Sequence, residues 1–149
     1  MYLTSNDLAI LFPEKQGIED YILFHTVSDQ ANVLQSKGLF IPLNNQEDKL
    51  IEAIANGAVA AIWEEGKSLP PYTPNHFPVF FTLDLAEAVK QLLQLYLDYL
   101  NGEKNHNMDI TNFKFSNKKL LNKNNETYDI AVMVNQIADS KRNNSERRG

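Results

Sequence analysis

Gly38-Leu39-Phe40-Ile41-Pro42-Leu43 and Ala58-Val59-Ala60-Ala61-Ile62-Trp63, with the stretch Asn44 to Gly57 between them, decide the fold. Both runs are apolar throughout, are bounded by glycine or asparagine, and have the length of buried strands. A strand with no polar face has to be covered on both sides, which is the habit of parallel strands flanked by helices. The intervening stretch supplies one cover. Asn45 is placed to cap a helix starting at Gln46, Glu47 and Asp48 suit the positive end of its dipole, and Leu50, Ile51 and Ile54 recur at three- and four-residue spacing. Asn56-Gly57 then ends that helix with residues that tolerate a left-handed backbone. The expected unit is a strand, helix, strand crossover of right-handed sense.

Outside this unit, Tyr21 to Val27 and Pro78 to Leu83 read as further strands. Thr4, Ser5 or Asn6 can cap a first helix carrying Leu8, Ile10, Leu11 and Phe12, which Pro13 closes. Asp84 caps the longest helix, and Glu87 three residues on completes a capping-box-like pair. Leu85, Val89, Leu92, Leu93, Tyr96, Tyr99 and Leu100 form its apolar stripe, and Gly102 ends it. From Glu103 onward asparagine and lysine dominate. A short strand around Ile110, Phe113 and Phe115, a helical stripe of Ile130, Val134 and Ile137 within Thr127 to Ser140, and disorder from Lys141 to Gly149 are expected there. The reading is an α/β domain over 1–102, with a small mixed or parallel sheet of about four or five strands flanked by helices, and an Asn/Lys-rich appendage over 103–149.

At 149 residues the chain has room for one domain with a real core. The absence of cysteine removes disulfides, thiolate nucleophiles and thiolate metal sites together, and a reducing cytoplasm is the expected location. No apolar run approaches the length of a membrane span, and the amino terminus lacks a basic-then-hydrophobic export signal. The net charge of −5 is unevenly spread, for all three arginines, Arg142, Arg147 and Arg148, lie at the end of the chain. An acidic globular part without an arginine is a poor surface for nucleic acid, so no nucleic-acid role is expected.

The order of a strand ending in Leu39-Phe40, a helix closing on Asn56-Gly57-Ala58, a strand Val59 to Ile62, a Pro78-Val79 strand and then Asp84-Leu85-Ala86-Glu87-Ala88-Val89 at the head of a long helix resembles a known family. It is similar to the amino-terminal, UDP-binding domain of the Mur ligases, the UDP-N-acetylmuramoyl-peptide ligases of peptidoglycan biosynthesis. The resemblance covers roughly 22–102. It implies a small α/β unit that grips the uridine diphosphate end of a UDP-muramyl substrate, with ATP binding and peptide-bond formation left to other domains. The family's Asp-Ser-Arg falls on Gln30-Ala31-Asn32, so its serine and arginine are missing, and the family's next loop has shrunk to Asn44-Asn45-Gln46. Nowhere does the chain carry a glycine-rich turn with Gly-Lys-Ser/Thr to hold ATP phosphates.

The substrate-binding candidates are therefore Ser28, Asn32, Lys37, Asn44 and Asn45. The hydroxyl and amides are suited to a uracil or ribose, and Lys37 to a diphosphate as a point charge, although bidentate phosphate recognition prefers a guanidinium. The bland alternative is that these are turn residues chosen for backbone geometry. His25 with Asp29 can be drawn as a base and its orienting carboxylate, but a lone histidine in a strand is more often a half-exposed strand residue. His76 and His106 lack partners at metal-ligand spacing, and no catalytic residue, metal or cofactor is expected. The expected function is a stand-alone non-catalytic module that binds a UDP-muramyl precursor or a cell-wall synthesis enzyme. The alternatives are a protein interaction module that has lost its ligand, or one subunit of a split ATP-dependent ligase.

Overall fold

The structure, a computed structural model, describes residues 1–17, 21–102 and 109–148, with 141–148 described as backbone only. In chain order the elements are β1 (Leu3–Thr4), α1 (Ser5–Leu11), β2 (Lys15–Gln16), β3 (Leu23–Phe24), β4 (Thr26–Ser28), β5 (Gly38–Phe40), α2 (Leu50–Ala55), β6 (Ala58–Glu64), β7 (Val79–Thr82), α3 (Leu85–Gly102), β8 (Asn112–Lys114), β9 (Lys119–Leu121), β10 (Thr127–Asp129) and α4 (Ile130–Arg148). They make an α/β fold whose main sheet has the order β2-β7-β6-β5-β4-β8. β8, β4, β5, β6 and β7 run parallel, and β2 closes the far edge antiparallel.

The two apolar runs are neighbouring parallel strands with α2 between them, as their composition demands. Leu39, Ile41, Ala60, Ile62 and Phe80 pack in one buried cluster with Leu92, Leu93 and Tyr96 of α3. Phe40, Ala61, Trp63 and Val79 pack in the other with Leu50 and Ala53 of α2. Strict alternation would place Ala58 and Ala60 on one face, but the register shifts between Gly38 and Leu39, and the two alanines fall in opposite clusters. Gly57, at φ +119°, leaves room for the loop between β4 and β5, because a Cβ there would lie 2.5 Å from the Gln35 carbonyl oxygen. Asn56 fastens the same loop by donating to the Ala31 carbonyl at 2.7 Å.

Several local expectations are corrected. Asn45 does not cap a helix: Asn44 and Asn45 sit at φ 57° and 60°, whereas a capping residue needs an extended backbone, and the chain enters α2 through a 3₁₀ turn at Glu47–Lys49. The strand expected over Tyr21 to Val27 is divided at His25, with β3 pairing β1 in a small separate sheet and β4 joining the main one. Asp84 caps α3 through the amides of Ala86 and Glu87, but Glu87 does not return the bond, since its carboxylate accepts from the Tyr128 hydroxyl. In α1, Thr4 is the cap, one of the three residues expected there, in a capping box with Asp7, but Ile10 of the expected apolar set faces solvent.

The sheet has more strands than the sequence suggested because β2 and β8 join its edges. β8 lies where Ile110, Phe113 and Phe115 pointed to a strand, parallel to β4. Ile110, Leu120, Ile130 and Ile137, all beyond Glu103, are buried in the same cluster as α3. Thr127 to Asp129, expected within a helix, form β10 of a hairpin with β9, and α4 begins only at Ile130. Residues 103–108, including His106, lie outside the described residues.

Candidate functional site

In a parallel sheet the carboxyl ends of the strands collect the loops that meet ligands. Here β5 ends in Ile41 to Asn45, β6 in Glu64 to Lys67, and β7 in Leu83 and the Asp84 cap of α3. With the β9–β10 hairpin they enclose a crevice of about 420 Å³, lined among others by Asn44, Asn45, Glu64, Lys67, Asp84 and Lys123. Left-handed backbone at Asn44 and Asn45 turns the chain sharply out of β5, so both asparagines stand exposed on the rim.

The charges in the crevice are matched against one another. Lys67 Nζ lies 2.6 Å from Glu47 Oε1 and 3.4 Å from Glu64 Oε2, and Lys123 Nζ lies 2.9 Å from Glu64 Oε1. The Lys123 hydrogen bond, with help from Lys67, holds the Glu64 carboxyl below the ordinary glutamate value. The bond to Glu47 pushes the Lys67 ammonium up. Asp84 serves the helix with Oδ1 and accepts from the Lys123 backbone amide with Oδ2 at 2.8 Å, which ties the hairpin tip to the head of α3. Tyr128 secures the hairpin base: its hydroxyl donates to Glu87, Lys90 Nζ lies 4.2 Å from its ring centroid, and its phenol is pushed up to about 12, chiefly by the Glu87 bond.

Of the sequence candidates, Asn44 and Asn45 reach this crevice and the other three do not. Ser28 is buried, and its hydroxyl accepts from Gln30 N and donates to Gln30 O, both at 3.0 Å, which closes a local turn. Asn32 is exposed and lines a second cavity, of about 490 Å³, with Gln30, Gln46, Lys49, Glu52 and Ser116. Lys37, at φ 44°, lies at the opposite edge of the sheet beside Leu23, Val59 and Pro78. No protein-family model matches this chain, and no curated protein matches it. The crevice is therefore defined by its own chemistry.

His25 and Asp29 form no dyad. The His25 ring stacks on Tyr2 at 4.2 Å and 14°, while the Asp29 carboxylate accepts from the amide and hydroxyl of Ser116 and from the amide and side chain of Asn117. Trp63 is fully buried, and among the described residues its indole N–H has no hydrogen-bond partner. Among the described residues no group of three His, Cys, Asp or Glu side chains is placed to hold a metal, and no helix is long and apolar enough to cross a membrane. Glu64, Lys67, Asp84, Lys119 and Lys123 were missed as site residues. The available signal was positional: Glu64 is the last residue of β6 and Asp84 lies two residues past β7, at the carboxyl ends of neighbouring parallel strands.

Proposed function

We propose that the protein is a non-catalytic binding module, related to the substrate domain of the Mur ligases, that takes the diphosphate end of a UDP-muramyl precursor in the crevice over β5, β6 and β7. The observation that carries this reading is the set of three ammonium groups, Lys67, Lys119 and Lys123, lining one crevice at the carboxyl edge beside Asn44 and Asn45. A diphosphate would take over Lys67 and Lys123 from Glu47 and Glu64, so binding weakens steeply as salt rises. The amides of Asn44 and Asn45 stand ready for the sugar hydroxyls. The test is a titration with UDP and with UDP-N-acetylmuramoyl peptide followed by backbone amide shifts. Salt-sensitive shifts at Asn44, Asn45, Lys67 and Lys123 are expected, and their absence at millimolar ligand refutes the reading.

One observation favours a second reading, a protein interaction module that kept the fold and lost the ligand. Lys67, Lys123 and the first amides of α3 are all satisfied by the chain's own carboxylates. On that reading the titration leaves the crevice silent while the fold is intact, and a cell-wall synthesis enzyme is the partner to test.

A further inference from the structure

Two of the three lysines in the crevice over β5, β6 and β7 have to be won from the chain itself. Lys67 and Lys123 share one carboxylate: Lys67 Nζ lies 3.4 Å from Glu64 Oε2, and Lys123 Nζ lies 2.9 Å from Glu64 Oε1. Glu47 Oε1 lies 2.6 Å from Lys67 Nζ as well. An anion that takes Lys123 alone leaves Glu64 its contact with Lys67, but one that takes both lysines strips Glu47 and Glu64 of these pairs together. The carboxylates are the more enclosed partners, with side chains 20% and 18% accessible against 42% and 61% for Lys67 and Lys123. The ammonium groups can therefore turn outward to a ligand, while the carboxylates stay behind in the wall and face an anion of like charge. With Asp84 the lining sets three carboxylates against Lys67, Lys119 and Lys123, so it offers an approaching anion no net positive charge. Nor do these pairs hold the crevice together. The hairpin tip is fastened to α3 by the Lys123 amide on Asp84 Oδ2 at 2.8 Å, and the hairpin base by the Tyr128 hydroxyl on Glu87.

We propose that Glu47 and Glu64 are autoinhibitory: they act as internal counter-anions that hold Lys67 and Lys123 against free phosphate and diphosphate. They thereby set how much further contact a ligand must bring before the crevice admits it. The inference rests on the reading of the crevice as a diphosphate site and adds the device that regulates it. A bare phosphate chain meets the full cost of unpairing the two acids, whereas a ligand that also bonds Asn44 and Asn45 recovers that cost at the rim. The ion pairs that make the crevice look filled are thus its threshold.

The test titrates the full chain with inorganic pyrophosphate, and with inorganic phosphate for comparison, at fixed ionic strength in a metal-free buffer, following the backbone amides of Asn44 and Asn45. Glu64→Gln removes the carboxylate that the two lysines share, and should bind pyrophosphate about fivefold more tightly than the wild type, the upper end of what such pairs are worth. Glu47→Gln, which releases a single contact, should gain less. Phosphate, which needs only one lysine, should gain less than pyrophosphate in Glu64→Gln. Asp48→Asn, at an exposed position outside the crevice, makes the same change in net charge and should alter binding by about twofold at most. Unfolding midpoints of the variants should equal the wild type's or fall below it, so that tighter binding does not come from a more stable fold. The inference is overturned if the wild type binds pyrophosphate and Glu64→Gln binds it no more tightly, or if Asp48→Asn gains as much; the diphosphate reading survives either result. If none of these proteins binds pyrophosphate at millimolar concentration, the diphosphate reading itself falls, and the inference with it. A silent wild type beside a responding Glu64→Gln supports both.

Discussion

Thr111 joins three parts of the chain that are far apart in sequence, and replacing it by valine tests whether that junction holds the fold together. Its side chain is fully buried. The hydroxyl accepts from the Leu3 amide at 2.8 Å and donates to the Phe24 carbonyl at 2.7 Å, while its own amide donates to the Tyr96 hydroxyl at 2.9 Å. Tyr96 in turn donates to the Met1 carbonyl. Valine keeps the volume and leaves one buried N–H and one buried C=O without partners, each costing about 1–3 kcal/mol. The expected loss is about 3 kcal/mol, toward the lower end of the sum because the added methyl of valine is itself buried and offsets part of it. For a chain of this length that lowers the melting temperature by about 6–12 °C. Thr111→Ser keeps both bonds and removes one buried methyl, so it costs only about 1 kcal/mol. The assay is urea unfolding of the three proteins at one pH, accepted only where the slope is unchanged. A serine variant as unstable as the valine variant, or more so, refutes the reasoning, because packing and not the hydroxyl then accounts for the loss.

Three further predictions concern other parts of the chain. Gly57→Ala is expected to cost more than about 2 kcal/mol, since it adds a clash with the Gln35 carbonyl to the strain of a positive φ, whereas Gly66→Ala, at φ +89° with nothing within 4 Å, costs about 1 kcal/mol; denaturation midpoints rank the two. Because Glu64 is held below its ordinary value, its ion pairs stabilise the fold above the unfolded glutamate pKa and fade as pH falls through the lower folded value. Glu64→Gln should therefore cost up to about 1 kcal/mol at neutral pH and nothing in strong acid, by urea midpoints at each pH. Tyr128 should ionise late, near 12, in an ultraviolet absorbance titration, with that step removed in Tyr128→Phe and stability falling as pH climbs from 10 toward that value.

The apolar runs were legible because burial on both faces leaves no freedom in side-chain polarity: Gly38 to Leu43 and Ala58 to Trp63 admit one reading, and they are neighbouring parallel strands. The long helix was legible for a similar reason, since Leu92, Leu93, Tyr96 and Leu100 repeat with the helical period and are all buried. What was hidden depended on partners far away in sequence. Ile110, Phe113 and Phe115 marked β8 as a strand, but not its place beside β4, because it pairs there through its backbone. The site was less legible still. Asn44 and Asn45 stood out as turn-forming amides, but Lys123 meets Glu64 only because the hairpin folds back over the strand ends, a juxtaposition with no local trace. Ser28 misled because a hydroxyl that closes a turn on Gln30 looks, in sequence, like one free for a ligand.

The position of the crevice follows from how the chain winds. β4 to β7 are laid down in one direction, and α3 then carries the chain back to place β8 on the other side of β4, so the winding reverses between β4 and β8. That reversal is where an open α/β sheet ordinarily offers a cleft at its carboxyl edge. Here the Asp29 carboxylate, buried at the end of β4, accepts from Ser116 Oγ at 2.9 Å and Asn117 Nδ2 at 3.0 Å, both just past the end of β8. The cavity beside it, about 490 Å³ and lined by Gln30, Asn32, Gln46, Lys49, Glu52 and Ser116, offers an anion one ammonium group next to a carboxylate, where the crevice offers three ammonium groups. At the crevice over β5 to β7 the displaceable contacts are ion pairs of half-exposed lysines, with Lys67 and Lys123 side chains 42% and 61% accessible, and such pairs contribute little to stability. On the proposed reading a diphosphate is thus directed away from the reversal, to the place where three ammonium groups converge and giving up internal contacts leaves the fold intact.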